Sequence, residues 1–442
     1  MSETAFPPGA DVAGIGAQMQ LLRVRQGLTQ TELAGERFTR AYVSSIEGGK
    51  RTPSAAATAH FAARLGADFE DLCFGYEPGR RRALQKQLTA ARTTLSRGEP
   101  DEAAAAYAAV AAEAQRHHDP LLRAAGRCGL GLVARHRGDA AAAGELFAEA
   151  DALLAGQPLS VRLPAVMGRM WSLFAGGSVV DALAYAWEQL RRAGAGVEPA
   201  AEFALQAATG FAHVERGNLA RAGAAADVAL QLAPEVTDPQ VLAQGYYHLN
   251  RVLTAQGRYE EGEQAIVRAT ALYEHLGLPT EVGMCRFAQG YLSASRGRLA
   301  EAEAHLRQAR TVLARTGATT RLVNATAELA EVLRRLERTD EAAALVEECR
   351  ALSLGYHDPE QAAELDRIGA QIAFDRGDDS AGEALLRSAA DRYEAVGAAM
   401  ETAATCRLLG DRLVGWGRTA EAAAVYRRGL VATERPRPDH PA

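Results

Sequence analysis

Lysine is nearly missing from this chain. Of 49 basic residues only Lys50 and Lys86 are lysines, and the rest are arginines. With abundant alanine, that scarcity points to a GC-rich, actinobacterial genome and says little about chemistry. An excess of positive charge is missing too. The formal net charge is -6, which excludes a global basic field, so any contact with nucleic acid must come from a local patch. Cysteines are few and scattered, at positions 73, 128, 285, 349 and 406. No CxxC and no Cys/His pair at zinc-ligand spacing occurs, so a disulfide framework and a zinc module are excluded and buried reduced thiols are expected. No run approaches 18 apolar residues without a charge, which excludes a membrane span. The opening MSETAFPPGADVAG has neither the basic nor the apolar region of a secretory signal, so a cytoplasmic protein is expected. Walker, GxSxG and HExxH signatures are absent, and His117-His118 has no carboxylate at helical ligand spacing. No enzymatic activity, metal or cofactor is expected.

What is present is repetition. A chain of 442 residues is too long for one compact domain unless it is a repeat array. Short glycine turns recur at Gly98, Gly138, Gly177, Gly217, Gly257, Gly297, Gly377 and Gly417, a period of about 40 with one gap of 80. Glu337 takes the glycine place inside that gap. Five residues past each turn the side chain is always tiny: Ala103, Ala143, Ala182, Ala222, Gly262, Ala302, Ala342, Gly382 and Ala422. A hydrogen or methyl at a fixed offset is what close helix–helix approach demands. ELAEVLRRL and AEAHLRQARTVL carry apolar residues at helical spacing. Each unit is therefore a helical hairpin that cannot bury its apolar face alone, and stacking nine gives a continuous core, an α-solenoid. Another small residue often stands seven before the turn, as do Gly131, Gly210, Gly290, Ala330 and Gly410.

Residues 14 to 74 follow other rules. GIGAQMQLLRVRQ is a helix stopped by Gly27. Thr29 caps QTELAGE with Glu32 three positions on, as in a capping box. Thr39 caps RAYVSSIEG, Thr52-Pro53 offers a cap and a first-turn proline before SAAATAHFAARL, Gly66 ends that helix, and ADFEDLCF adds a fifth. The domain expectation is a flexible N-terminus over 1–13, a compact all-α head over 14–76, repeats over 77–430 and a flexible Pro-rich tail over 431–442.

The run LLRVRQGLTQTELAG…FTRAYVSSIEGGKRTPS resembles the phage repressor/Cro-type helix-turn-helix family, the XRE group. The link between Ala34 and the third helix is one residue shorter than that family's norm. The resemblance implies that the third helix enters the DNA major groove, with its N-terminal side chains meeting base edges. Thr39, Arg40, Ala41, Tyr42 and Ser45 then fall on or near the reading face, with Arg40 suited to guanine. Gln30, Lys50 and Arg51 suit phosphates. The family pairing implied for Arg23 is with Glu47, which would explain a carboxylate so near DNA. From Gly14 to Ser54 six cations face three carboxylates, a local +3 inside a chain of -6. Arg25 and Arg37 read as solvated surface charges.

The repeats resemble tetratricopeptide (TPR) units, at about 40 residues rather than the usual ~34. Head plus array together resembles the RRNPP-type quorum-sensing regulators and actinobacterial head-plus-repeat regulators. That implies a homodimeric, sequence-specific transcriptional regulator bound to double-stranded DNA at an inverted-repeat operator, with a peptide or small-molecule effector held by the array. The alternative is an array that serves as a protein–protein scaffold. If helix-A residues ten and six before each turn face inward, the lining includes Trp171, Phe211, Tyr247, Arg251, Phe287 and Tyr291, joined by Asn250 and Asn324. The competing reading makes these rings packing inside the array.

Overall fold

The computed structural model describes residues 5–353 and 359–434, and among them no strand forms. The head holds five short helices, α1 (Ile15–Arg25), α2 (Gln30–Ala34), α3 (Arg40–Glu47), α4 (Ala55–Arg64) and α5 (Phe69–Phe74). Local chemistry sets their ends. Gly27 and Gly66 take left-handed φ of 70° and 62° after α1 and α4. At α2 the Thr29 hydroxyl accepts from Glu32 N at 3.1 Å while Glu32 returns a carboxylate to Thr29 N at 2.7 Å. Thr39 accepts from Tyr42 N at 3.2 Å and so starts α3. The fourth helix corrects the expected cap. Ser54, not Thr52, accepts from Ala57 N at 3.2 Å, which leaves Pro53 outside the helix with its ring buried.

Among the described residues eighteen further α-helices form nine hairpins. They pair α6 (Arg80–Ser96) with α7 (Pro100–Arg116), α8 (Pro120–His136) with α9 (Ala140–Leu153), and α10 (Leu159–Ala175) with α11 (Val179–Ala193). Next come α12 (Pro199–Glu215) with α13 (Leu219–Leu232), α14 (Pro239–Ala255) with α15 (Tyr259–His275), and α16 (Pro279–Ser295) with α17 (Leu299–Arg315). The last are α18 (Thr319–Arg335) with α19 (Thr339–Leu352), α20 (Pro359–Asp375) with α21 (Asp379–Ala395), and α22 (Ala399–Gly415) with α23 (Thr419–Glu434). The longer period thus becomes helices of mostly 17 residues. Every glycine of the 40-residue series has positive φ, and Glu337 adopts the same left-handed turn at φ 60°.

The small residues do what close packing requires. Ala103, Ala143, Ala182, Ala222, Ala302 and Ala342 are fully buried. A methyl added at Gly131 would meet the Phe147 ring at 2.9 Å, at Gly290 the Leu306 side chain at 2.6 Å, and at Gly410 the Tyr426 ring at 2.3 Å. In these three hairpins the glycine seven before the turn is therefore the socket for a large residue sixteen positions later, on helix B of the same hairpin.

Two compact units result, residues 1–201 and 202–442. The first holds the head and three hairpins, and the second holds the other six. The division does not fall at residue 76. One cluster joins Ile15, Leu33, Val43, Ile46 and Phe61 of the head to Leu84, Val110, Ala114 and Leu122 of the first hairpins. Residues 6–13 are not a loose lead-in either, since Phe6 stacks on Phe69 at 5.9 Å and Asp11 N donates to Cys73 O at 3.0 Å. The tail expected from 431 begins as the last turn of α23, and 435–442 lie outside the described residues, as do 1–4. All five cysteines are buried and unbridged. Among the described residues no helix is long and apolar enough to cross a membrane.

Candidate nucleic-acid interface and repeat lining

The third helix is held from behind and left open in front. Val43 and Ile46 are buried in the head core, while Arg40 and Ala41 at its start are exposed. Its far end is fixed by Glu47. Arg23 donates to both Glu47 oxygens, at 2.6 and 2.9 Å, with the carboxylate side chain 2% exposed. Arg23 also reaches Leu28 O at 2.8 Å, tying α1 to the turn before α2. Burial pushes the Glu47 carboxyl up, but hydrogen bonds from Arg23 and Gln30 and the guanidinium charge outweigh it and hold the group below the ordinary carboxylate value. Gln30, expected to bond a phosphate through its side chain or its backbone N–H, uses its side chain elsewhere. Its amide donates to Glu47 Oε2 at 3.0 Å, so its side-chain nitrogen serves the buried pair rather than pointing freely to solvent.

Around the open end of α3 the charge is uncompensated. Among the described residues Arg37, Arg40, Lys50 and Arg51 make no ion pair, whereas Arg25 is paired with Glu77. Tyr42 stacks on Phe38 with ring centroids 5.1 Å apart and planes 17° from parallel, and Phe38 leans on Phe61 at 5.0 Å. The Arg51 guanidinium lies 4.8 Å from the Tyr42 centroid and that of Arg37 lies 5.8 Å from the Phe38 centroid. Lys50 N and Arg51 N both donate to Ser45 O, and Ser45 Oγ donates to Tyr42 O, which ties the basic pair to α3. An open depression of about 570 Å³ results, with Arg37, Thr39, Ala41, Tyr42, Ser45 and Arg51 on its walls and Phe38 beneath. Thr39 and Arg51 are thus together with the reading face. Arg37, expected to be a plain solvated charge, is on the wall of this depression, and Phe38 was not singled out by sequence.

The array residues divide. Trp171 lies in the first unit, half-buried, edge-on to Phe174 at 5.4 Å. The other seven lie in the second. Asn250 is not available to a ligand, because it is 3% exposed and its amide donates to Gly262 O at 3.0 Å. Arg251 bridges hairpins, donating to Glu215 at 3.3 Å and lying 4.5 Å from the Tyr291 centroid. Phe211 and Tyr247 flank His248, each at 5.7 Å. Phe287 is half-buried against two core clusters. Asn324 is exposed and accepts from Gln361 at 2.8 Å.

Sequence reasoning missed the charged neighbours of this stripe. Burial pushes the Glu328 carboxyl up to about 7, with Glu364 and Glu331 adding repulsion and Arg251 and Arg367 opposing it. Glu331 and Arg367 stand six and ten before their turns, so the offsets that gave Arg251 and Tyr247 would have found them in the next two hairpins.

Residues 15–72 match the family model described as a helix-turn-helix domain. No curated protein matches the chain. Among solved structures, a Rap protein complexed with Competence and Sporulation Factor aligns with a TM-score of 0.57 at 14% identity, covering 80% of this chain and 98% of that one. The apo form of the quorum sensor NprR from B. thuringiensis aligns at 0.50 and 15% identity over 80% of this chain and 99% of that one. NprR in complex with its cognate peptide NprX gives the same values. At these identities the likeness is one of fold. The chain is an N-terminal helix-turn-helix domain followed by an all-α array of TPR-like hairpins.

Proposed function

We propose that the chain is a sequence-specific DNA-binding transcriptional regulator whose TPR-like array binds a peptide or small molecule and mediates dimerisation on an inverted-repeat operator. The observation that carries the DNA half is the face of α3, with Arg40 and Ala41 projecting from a helix whose back is buried and whose end is fixed by the Arg23–Glu47 pair. A helix so presented fits the major groove, and the unpaired Lys50 and Arg51 beside it suit phosphates. The effector half draws support from the half-exposed rings of Tyr247, Phe287 and Tyr291. It also draws on the fold shared with NprR bound to its cognate peptide. Asn250 has no part in it, and Arg251 would contribute only by exchanging its Glu215 bond for one to the ligand.

The test separates base reading from backbone contact. A duplex is first selected from a random pool by the full-length protein, and gel-shift titrations then compare it with random DNA at several salt concentrations. Arg40→Ala should cost about 1–3 kcal/mol on the selected duplex and less on random DNA. Lys50→Ala should weaken both alike and lower the salt slope by about 1. Equal loss on both duplexes for Arg40→Ala removes it as a base reader.

A further inference from the structure

We infer that Tyr42 is a positioning residue for DNA-backbone binding, the middle of a Phe38–Tyr42–Arg51 stack that holds the Arg51 guanidinium ready for a phosphate, and not itself a base reader. The inference rests on the DNA-binding reading above and adds to it the source of the backbone contact.

The geometry carries it. Tyr42 has one face on Phe38, at 5.1 Å and 17°, and the Arg51 guanidinium 4.8 Å from its centroid. Phe38 is anchored in turn on Phe61, which is fully buried. The stack therefore runs from the head core to the surface, with the charge at its outer end. A ring occupied on one face by another ring and overlain by a guanidinium has little left to offer a base edge except its hydroxyl. A guanidinium spread over an aromatic ring keeps its N–H groups directed outward, where a phosphate meets them. No carboxylate pairs with Arg51 among the described residues, so its charge is not already satisfied. Its backbone is fixed as well, since Arg51 N donates to Ser45 O at 3.2 Å. Fixing a long side chain before binding removes the ordering cost that a free arginine pays on meeting DNA. The same stack has a second cation, Arg37, 5.8 Å from the Phe38 centroid and on the wall of the same depression. Arg37 thus adds a second unpaired cation to the depression that Arg51 borders. Phe38 stands immediately before the Thr39 cap and four positions before Tyr42, and the two rings stack there.

The experiment uses the full-length protein, the selected duplex and a random duplex of equal length, with fluorescence anisotropy at several salt concentrations. The variants are Arg51→Ala, Tyr42→Phe, Tyr42→Leu and the double variant Tyr42→Leu/Arg51→Ala. Leucine fills apolar space but has no ring face, and circular dichroism with thermal melting checks that each variant folds. Arg51→Ala and Tyr42→Leu should each lose roughly 3- to 10-fold in affinity on both duplexes and lower the salt slope by about 1. The double variant should be no weaker than Arg51→Ala alone, because the ring acts only through the arginine. Tyr42→Phe keeps the ring and should restore wild-type binding and slope. Three results overturn the inference: Tyr42→Phe as weak as Tyr42→Leu, a loss confined to the selected duplex, or additive losses in the double variant. If Tyr42→Leu does not fold, Tyr42→Phe still decides, since a base-reading hydroxyl would make it fail on the selected duplex alone. Wild-type protein that binds neither duplex would sink the DNA-binding reading itself, and this inference with it.

Discussion

Glu47 is the residue on which the far end of α3 depends. Its carboxylate is almost fully buried and survives there because Arg23 and Gln30 together supply three hydrogen bonds. Removing the cation should leave an uncompensated buried charge, so Arg23→Met should cost roughly 3–5 kcal/mol at pH 7. The folded pKa of Glu47 lies below its unfolded value near 4.5. The pair's contribution is therefore fully present above that unfolded value and is lost as pH falls through the folded one. Denaturant melts of wild type and Arg23→Met should differ most at neutral pH and converge in acid, and equal gaps at both would contradict this account. Glu328 has the opposite sign. Its folded carboxyl titrates at about 7, above the unfolded value, so the folded state favours the protonated form. Its contribution is greatest below the unfolded pKa and is lost as pH rises through 7. Glu328→Gln should raise the melting temperature at pH 8 and change it little at pH 5.

At the scale of the element, the hairpin turn is the unit that repeats. Eight turns place glycine at the left-handed position and one places Glu337 there, at φ 60°. A side chain in that region costs about 1–2 kcal/mol. Glu337→Gly should thus stabilise the α18–α19 hairpin by about 1 kcal/mol, read as a higher denaturation midpoint of the full chain. No gain would mean that the exposed Glu337 side chain makes compensating contacts. The degenerate copy is legible in sequence because its neighbours keep the pattern: Ala330 stands seven before the turn and Ala342 five after. Among the described residues His118 is the other non-glycine with positive φ, at 52°, in the link between the first and second hairpins. Histidine is among the side chains enriched in that region, though its place in the period did not mark it.

On the scale of the molecule, the head does not end where its motif ends. Tyr76 is fully buried and its ring stacks on His117 with centroids 4.0 Å apart. Arg81 donates to Asp119 at 2.8 Å, with side chains 8% and 0% exposed. Asp71 accepts from Gly79 N and Arg81 N, joining α5 to α6. Residues 1–76 alone would lose these partners and a share of the core. That fragment should lack a cooperative thermal transition by circular dichroism, while residues 1–153, which add two hairpins, should show one. A cooperative 1–76 fragment would restore the motif boundary as a folding boundary. Static light scattering on the full chain tests the proposed dimer, and a monomer at micromolar concentration both free and on DNA would rule it out.

Sequence alone determined what depends on local backbone chemistry and on period: the five caps and stops of the head, save the Thr52/Ser54 choice, the nine hairpins, and the small residues at their crossings. These are legible because a positive φ favours glycine, a helix start needs an acceptor, and a close crossing tolerates only a hydrogen or a methyl. The Arg23–Glu47 pair was legible only through resemblance to a family. The tertiary structure decided what depends on which surfaces meet. It merged the head with the first hairpins, turned Asn250 inward to Gly262, gave Gln30 to Glu47, set Arg251 against Glu215 and Tyr291, and laid Arg51 over Tyr42 on Phe38. Apart from the head–hairpin core, each of these partners lies from 4 to 40 positions away in the chain. A polar side chain commits to whichever unsatisfied group packing brings within 3 Å, and no spacing rule along the chain names that group.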